Sequence, residues 1–88
     1  MIKILVFLDK TILISKVEES PSELGEPDCK LVKPFLIKEP QIAGLSHTIE
    51  PWLSEYSKQD VFMVHSDKIL TIAEPTARLI ELYEDMTK

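Results

Sequence analysis

The chain has 88 residues, a formal net charge of -5 and a hydrophobic content of 44%, which bounds it to one small domain. Six Pro and two Gly are too few for a collagen-like or low-complexity chain, and the apolar content is too high for disorder. The acidic balance argues against nonspecific nucleic-acid binding through bulk charge, and leaves a local base-reading site open.

A chain of this size buries somewhat over ~60% of its unfolded surface. So high an apolar fraction exceeds what one small core hides, and association with copies of itself is the expected outlet. Cys29 is the single cysteine and has no internal disulfide partner. It reads as a thiol partly buried in a strand, in a reducing compartment. Met1 leads directly into an apolar run with no basic region before it, so no signal peptide is expected. No apolar run approaches the ~20 residues that span a membrane. A cytoplasmic location is the expectation, the host cytoplasm if the protein is phage-encoded.

Ile2 to Leu8 reads as the first strand. Ile2, Ile4, Val6 and Leu8 share one face, and Leu5 and Phe7 make the other face apolar as well. This strand is therefore expected to be covered on both sides. Asp9-Lys10 is a short polar break without glycine, and Thr11 to Glu19 is the second strand. Ser20 to Pro27 holds two Pro, one Gly and two Ser and reads as a loop.

Cys29 to Lys38 is the third strand. Cys29, Leu31, Lys33, Phe35 and Ile37 alternate with Lys30, Val32, Pro34, Leu36 and Lys38. Pro34 lacks a donor and marks an edge or a bulge. Residues 39–56 read as an irregular insertion, punctuated by Pro40, Gly44, Ser46 and His47. Trp52, the only Trp, is expected as an aromatic anchor.

Val61 to Pro75 carries two short apolar runs around the polar tetrad His65-Ser66-Asp67-Lys68. Runs rich in Val, Ile, Phe and Thr read as strands, and the tetrad reads as a hairpin turn. The last segment, 76–87, reads as a helix with Leu79, Leu82, Tyr83 and Met86 as its buried stripe. Pro75 suits its beginning, and Thr76 or Glu74 is placed to cap it.

The frame Val64-His65-Ser66-Asp67-Lys68-Ile69, followed by an apolar strand and Pro75, resembles the second half of an Sm-like (LSm/Hfq-type) domain. The opening pair of strands resembles that family's first hairpin. The LGEPDC, PWLSE and HSDKILT blocks look like the small Sm-like proteins of marine T4-like cyanophages. The resemblance implies a mainly β fold: a small, strongly bent antiparallel Sm-like (SH3-like) barrel of about five strands, here with a C-terminal helix.

The same resemblance implies a homo-oligomeric ring that binds single-stranded RNA and regulates it. The pore-facing turn would be His65, Ser66, Asp67 and Lys68, with Asp28 and Lys30 the nearest counterparts of the family's other RNA-contacting loop. Subunits would pair Val61, Phe62, Met63 and Val64 with Leu70, Thr71, Ile72 and Ala73 of a neighbour. The family's glycine within the second strand would fall near Ser15.

No cofactor or metal is expected, because no Cys or His cluster supplies enough ligands and no Gly-rich phosphate loop exists. His65-Ser66-Asp67 holds the residue types of a hydrolytic triad, but three consecutive residues of one turn do not converge as a triad must. A non-enzyme is therefore expected. The competing expectation is an interaction or structural module that binds a protein through its acidic surface or helix.

Overall fold

The computed structural model describes residues 1–19, 23–39 and 47–88. Ser20, Pro21 and Ser22 of the first loop, and Pro40, Gly44 and Ser46 of the expected insertion, lie outside the described residues. The elements run β1 (Ile2–Phe7), β2 (Ile12–Glu19), β3 (Cys29–Lys38), β4 (Thr48–Pro51), β5 (Val61–Val64), β6 (Ile69–Ala73) and α1 (Ala77–Met86). All the ladders are antiparallel. The sheet runs β4-β3-β2-β1-β6, with β5 beside β3 as well. The protein is thus a mainly β antiparallel sheet with one C-terminal helix.

Among the described residues the expected count of about five strands becomes six. The additional strand, β4, lies inside the stretch read as an insertion. Of its four residues only Ile49 is buried, so it left almost no alternating signal. The expected hairpin at 61–75 is also corrected. β5 pairs with β3 and β6 with β1, so the strands flanking the tetrad lie at opposite ends of the sheet. No ladder joins β5 to β6 among the described residues, and the sheet does not close there.

The β1–β2 turn works without glycine. The Thr11 amide donates to Asp9 Oδ1 at 3.0 Å, and Lys10 takes φ 72°, the left-handed conformation glycine usually supplies. Asp9 is held below the usual carboxylate range by the Thr11 amide it accepts from.

Two apolar clusters occupy the two faces of the sheet. Leu5, Leu13, Cys29 and Leu31 form the first, with Phe7, Val17, Leu36, Trp52, Val64 and Ile69 packed against it. Ile14, Phe35, Ile49 and Tyr83 form the second, with Ile2, Ile4, Leu79 and Leu82. β1 therefore contributes to both, as its two apolar faces demand. Burial holds the Cys29 thiol in its neutral form by raising its pKa. Trp52 anchors the first cluster edge-on to Phe7 (6.0 Å) and tilted against Phe62 (5.4 Å).

β3 is bent where its partners change. β5 pairs with it up to Val32 and β4 from Phe35 onward. Between them, Lys33 takes φ 52° and Pro34 has no amide to offer. Across on β2, the register shifts between Ile14 and Lys16, so Lys33 and Pro34 face Ser15 alone. This is a bulge, and it inverts the side-chain alternation of β3. Leu31 lies in the first cluster before it, and Leu36 lies there after it. The simple alternation expected over Cys29–Lys38 fails at that point.

Ser15, fully buried, satisfies its hydroxyl by sharing its one proton between the Lys16 carbonyl (2.9 Å) and the Val32 carbonyl (3.1 Å). Helix α1 seals the same region. The Tyr83 hydroxyl shares its one proton between the Lys33 and Val32 carbonyls (2.8 and 3.0 Å) and accepts from the Lys16 amide (3.3 Å). Thr76 caps the helix by accepting from the Leu79 amide at 3.3 Å. Of the expected buried stripe, Tyr83 is buried and Leu79 and Leu82 are half-buried, while Met86 is exposed. Met86 falls in the last turn, beyond the sheet's cover, and borders a cleft. No helix among the described residues is long and apolar enough to cross a membrane.

Candidate functional site

The site follows from one register. β3 and β5 pair antiparallel with Cys29 opposite Val64. The residue entering β3, Asp28, is thereby carried across from the residues leaving β5, His65 and Ser66. The Ser66 amide donates to Asp28 Oδ1 at 2.8 Å, and the Ser66 hydroxyl donates to Oδ2 at 2.7 Å. Both carboxylate oxygens of Asp28 hold the turn. The Ser66 hydroxyl, then its amide, keeps Asp28 below the usual carboxylate range.

Residues 66–68 close one turn of 3-10 helix, with the Lys68 amide donating to the His65 carbonyl at 3.1 Å. The Leu8 amide donates to the Lys68 carbonyl at 2.9 Å. The turn is therefore tied to β3 on one side and to the end of β1 on the other.

Between this turn and the loop before β3 lies an open cavity of about 180 Å³, lined by Gly25, Glu26, Asp28, His65, Ser66 and Asp67. Gly25 takes φ 90°, which lets the Glu26 amide reach back to the Glu23 carbonyl at 3.0 Å. His65 is half-buried, while Ser66 and Asp67 are exposed. A half-buried imidazole beside open space offers a flat face for a planar ligand and one donor or acceptor on each ring nitrogen.

Of the residues expected at the site, the structure brings Asp28, His65, Ser66 and Asp67 together. Lys30 and Lys68 do not line the cavity. Lys30 pairs with Glu18 across the β2–β3 ladder at 3.6 Å. The other β3 lysines turn elsewhere: Lys38 pairs with Glu50 at 3.0 Å, and Lys33 donates to the Thr87 carbonyl at 3.4 Å. The β3 lysines therefore do not converge on His65. Glu26 and Gly25 were missed by sequence reasoning. Their only signal was proximity to Asp28 in a proline- and glycine-bearing loop.

The expected interface strands are both edges. Among the described residues, β5 pairs with β3 alone and β6 with β1 alone. Val61, Met63, Leu70 and Ile72 are 37%, 44%, 65% and 49% exposed. A second concavity, about 260 Å³, lies at the bend of β3 between Trp52, Phe62, Pro34, Pro51 and Met86. Among the described residues, no group of three or more His, Cys, Asp or Glu is arranged to hold a metal ion.

A comparison with curated proteins finds no match. A family model covers the whole chain, residues 1–88, and the protein belongs to that family, DUF6561, a family of unknown function.

Proposed function

We propose that the protein is an Sm-like subunit: a bent barrel that assembles into a homo-oligomeric ring, binds single-stranded RNA at the 65–68 turn and acts as a regulator of RNA without catalysis or cofactor. The observation that carries this reading is the Asp28–Ser66 pair of hydrogen bonds, 2.8 and 2.7 Å. Two segments that the resemblance singled out separately, 38 positions apart, meet at one cavity beside His65. Single-stranded RNA is read by stacking an unpaired base and bonding its edge, which needs such a polar recess with a flat ring. The free edges of β5 and β6, with their exposed apolar side chains, support ring assembly.

The cavity's carboxylates repel phosphate, so binding is weak and comes from the base rather than the backbone. Fluorescence-anisotropy titration of short oligo(U), oligo(A) and guanine-containing RNA, at low and at physiological salt, tests the reading. Saturable binding that weakens about tenfold in His65→Ala supports it, the scale of one lost base stack. A flat titration of all three RNAs at both salts sinks it.

The cleft at the bend of β3 favours a second reading, a module that binds a protein through an apolar anchor. Trp52, Phe62 and Met86 line that cleft, and the overall charge is acidic. A blank RNA titration combined with association to a protein partner that Trp52→Ala abolishes would establish it instead.

A further inference from the structure

The hydrogen-bonding groups of the cavity are unevenly distributed. The amide and hydroxyl donors of Ser66 are both committed to Asp28. Ser66 Oγ therefore meets the cavity with lone pairs only. The Glu26 and Asp67 carboxylates line the same space and accept no hydrogen bond from the described residues. A carboxylate is an acceptor alone, through two oxygens set side by side. Apart from the His65 ring, the side chains present acceptors to whatever enters.

Such a lining favours a base that brings donors, because an acceptor facing an acceptor repels and makes no bond, whereas a donor facing a carboxylate makes a charge-assisted one. Guanine carries two adjacent donors on one edge, N1–H and the N2 amino group, spaced to meet both oxygens of one carboxylate. Adenine and cytosine each offer one amino group beside a ring-nitrogen acceptor. Uracil sets one N–H between two carbonyl oxygens, both of which would face carboxylate. We propose that this cavity selects guanine, stacked on His65 and held on its N1–N2 edge by Asp67 or Glu26, with uracil the worst-fitting base. The inference deepens the single-stranded RNA reading and rests on it.

The four nucleoside 5′-monophosphates carry equal charge, so differences among them isolate the base. Each is titrated into the full chain while the backbone amides of Gly25, Glu26 and Ser66 are followed by NMR. The expected result is a saturable shift with GMP at a Kd about tenfold below that of UMP, with AMP and CMP between, the scale of one bidentate contact. Glu26→Gln combined with Asp67→Asn changes exposed side chains and preserves the Asp28–Ser66 bonds, so the variant folds. It is expected to bring GMP to the level of UMP. Equal binding of all four nucleotides, or a preference for UMP, overturns the guanine assignment. If the oligo(U) and oligo(A) titrations still show His65-dependent binding, the RNA reading then survives. No response to any nucleotide, together with blank oligonucleotide titrations, overturns both.

Discussion

Asp28 and Ser66 show how much one polar contact organises. Asp28 has an ordinary pKa of 3.8 that the Ser66 hydroxyl and amide lower in the folded chain. A lowered carboxylate pKa contributes stability that is present above pH 3.8 and is lost as the pH falls through the folded value. The Ser66 amide resonance is therefore expected to titrate with a midpoint below 3.8. Ser66→Ala removes the larger of the two donors, so its midpoint should move up toward 3.8. An unchanged midpoint in an NMR acid titration would show that the contact does not form in solution. A second residue-scale case is Lys10, whose φ of 72° places a Cβ where it is disfavoured. Relief of that strain outweighs the entropy glycine loses on folding, so Lys10→Gly should raise stability by about 0.5–1 kcal/mol. Urea denaturation reads this directly, and a loss of stability would mean that the Asp9–Thr11 contact already relieves the strain.

At the scale of elements, the bend in β3 governs both core and helix. Three chain segments meet there: the bulge at Lys33-Pro34, Ser15 opposite it, and Tyr83 from α1. Tyr83→Phe keeps the ring packed on Phe35 (5.6 Å between centroids) and removes only the hydroxyl. The Lys16 amide and Lys33 carbonyl lose their partner, so stability should fall by about 1–2 kcal/mol in thermal or urea unfolding. Burial raises the Tyr83 pKa above 10.0, so the phenol stays protonated when folded. Stability is full below pH 10.0 and declines above it as the unfolded chain ionises, and the Phe variant should lack this decline. Much of this architecture was legible in the sequence. β1, β2, β5 and β6 show as short apolar runs rich in β-branched residues, α1 shows by helical spacing, and Pro34 announced the irregularity. The position near Ser15, where the Sm-like resemblance expected a glycine, is where the bulge lies, although Ser15 keeps its Cβ and bonds through its hydroxyl. The strand β4 was not legible, because four residues with one buried side chain give no pattern. The pairing of β5 with β3 was hidden too, since a short polar turn between apolar runs suits a hairpin and a crossing between sheet ends equally. That same register brought Asp28 to Ser66, so half of the site waited on it.

For the whole molecule, the decisive feature among the described residues is that β5 and β6, like the short β4, each lie at an edge of the sheet. β5 exposes Val61 and Met63, and β6 exposes Leu70 and Ile72. An open edge with apolar side chains templates pairing with another chain unless charge or proline blocks it, and neither strand carries a charged residue or a proline. Joining the β5 edge of one copy to the β6 edge of the next leaves one of each free, and repetition closes only as a ring. The alternative, β6 against β6 of a second copy, gives a two-fold dimer and leaves β5 bare. Charge substitutions separate the two. Met63→Lys and Ile72→Glu should each reduce the assembly to monomers in light scattering if β5 meets β6, while circular dichroism stays that of the wild type. In a β6–β6 dimer only Ile72→Glu acts, because Met63 takes no part in the contact. Mixing the two variants then provides the sharper test. Lys at 63 faces Glu at 72 across one contact, and the next contact is between the native Met63 and Ile72, so a heterologous ring reassembles with the two chains alternating. A two-fold dimer gains nothing from the mixture, since every β6–β6 pair that includes the Ile72→Glu chain carries a charge with no opposite partner.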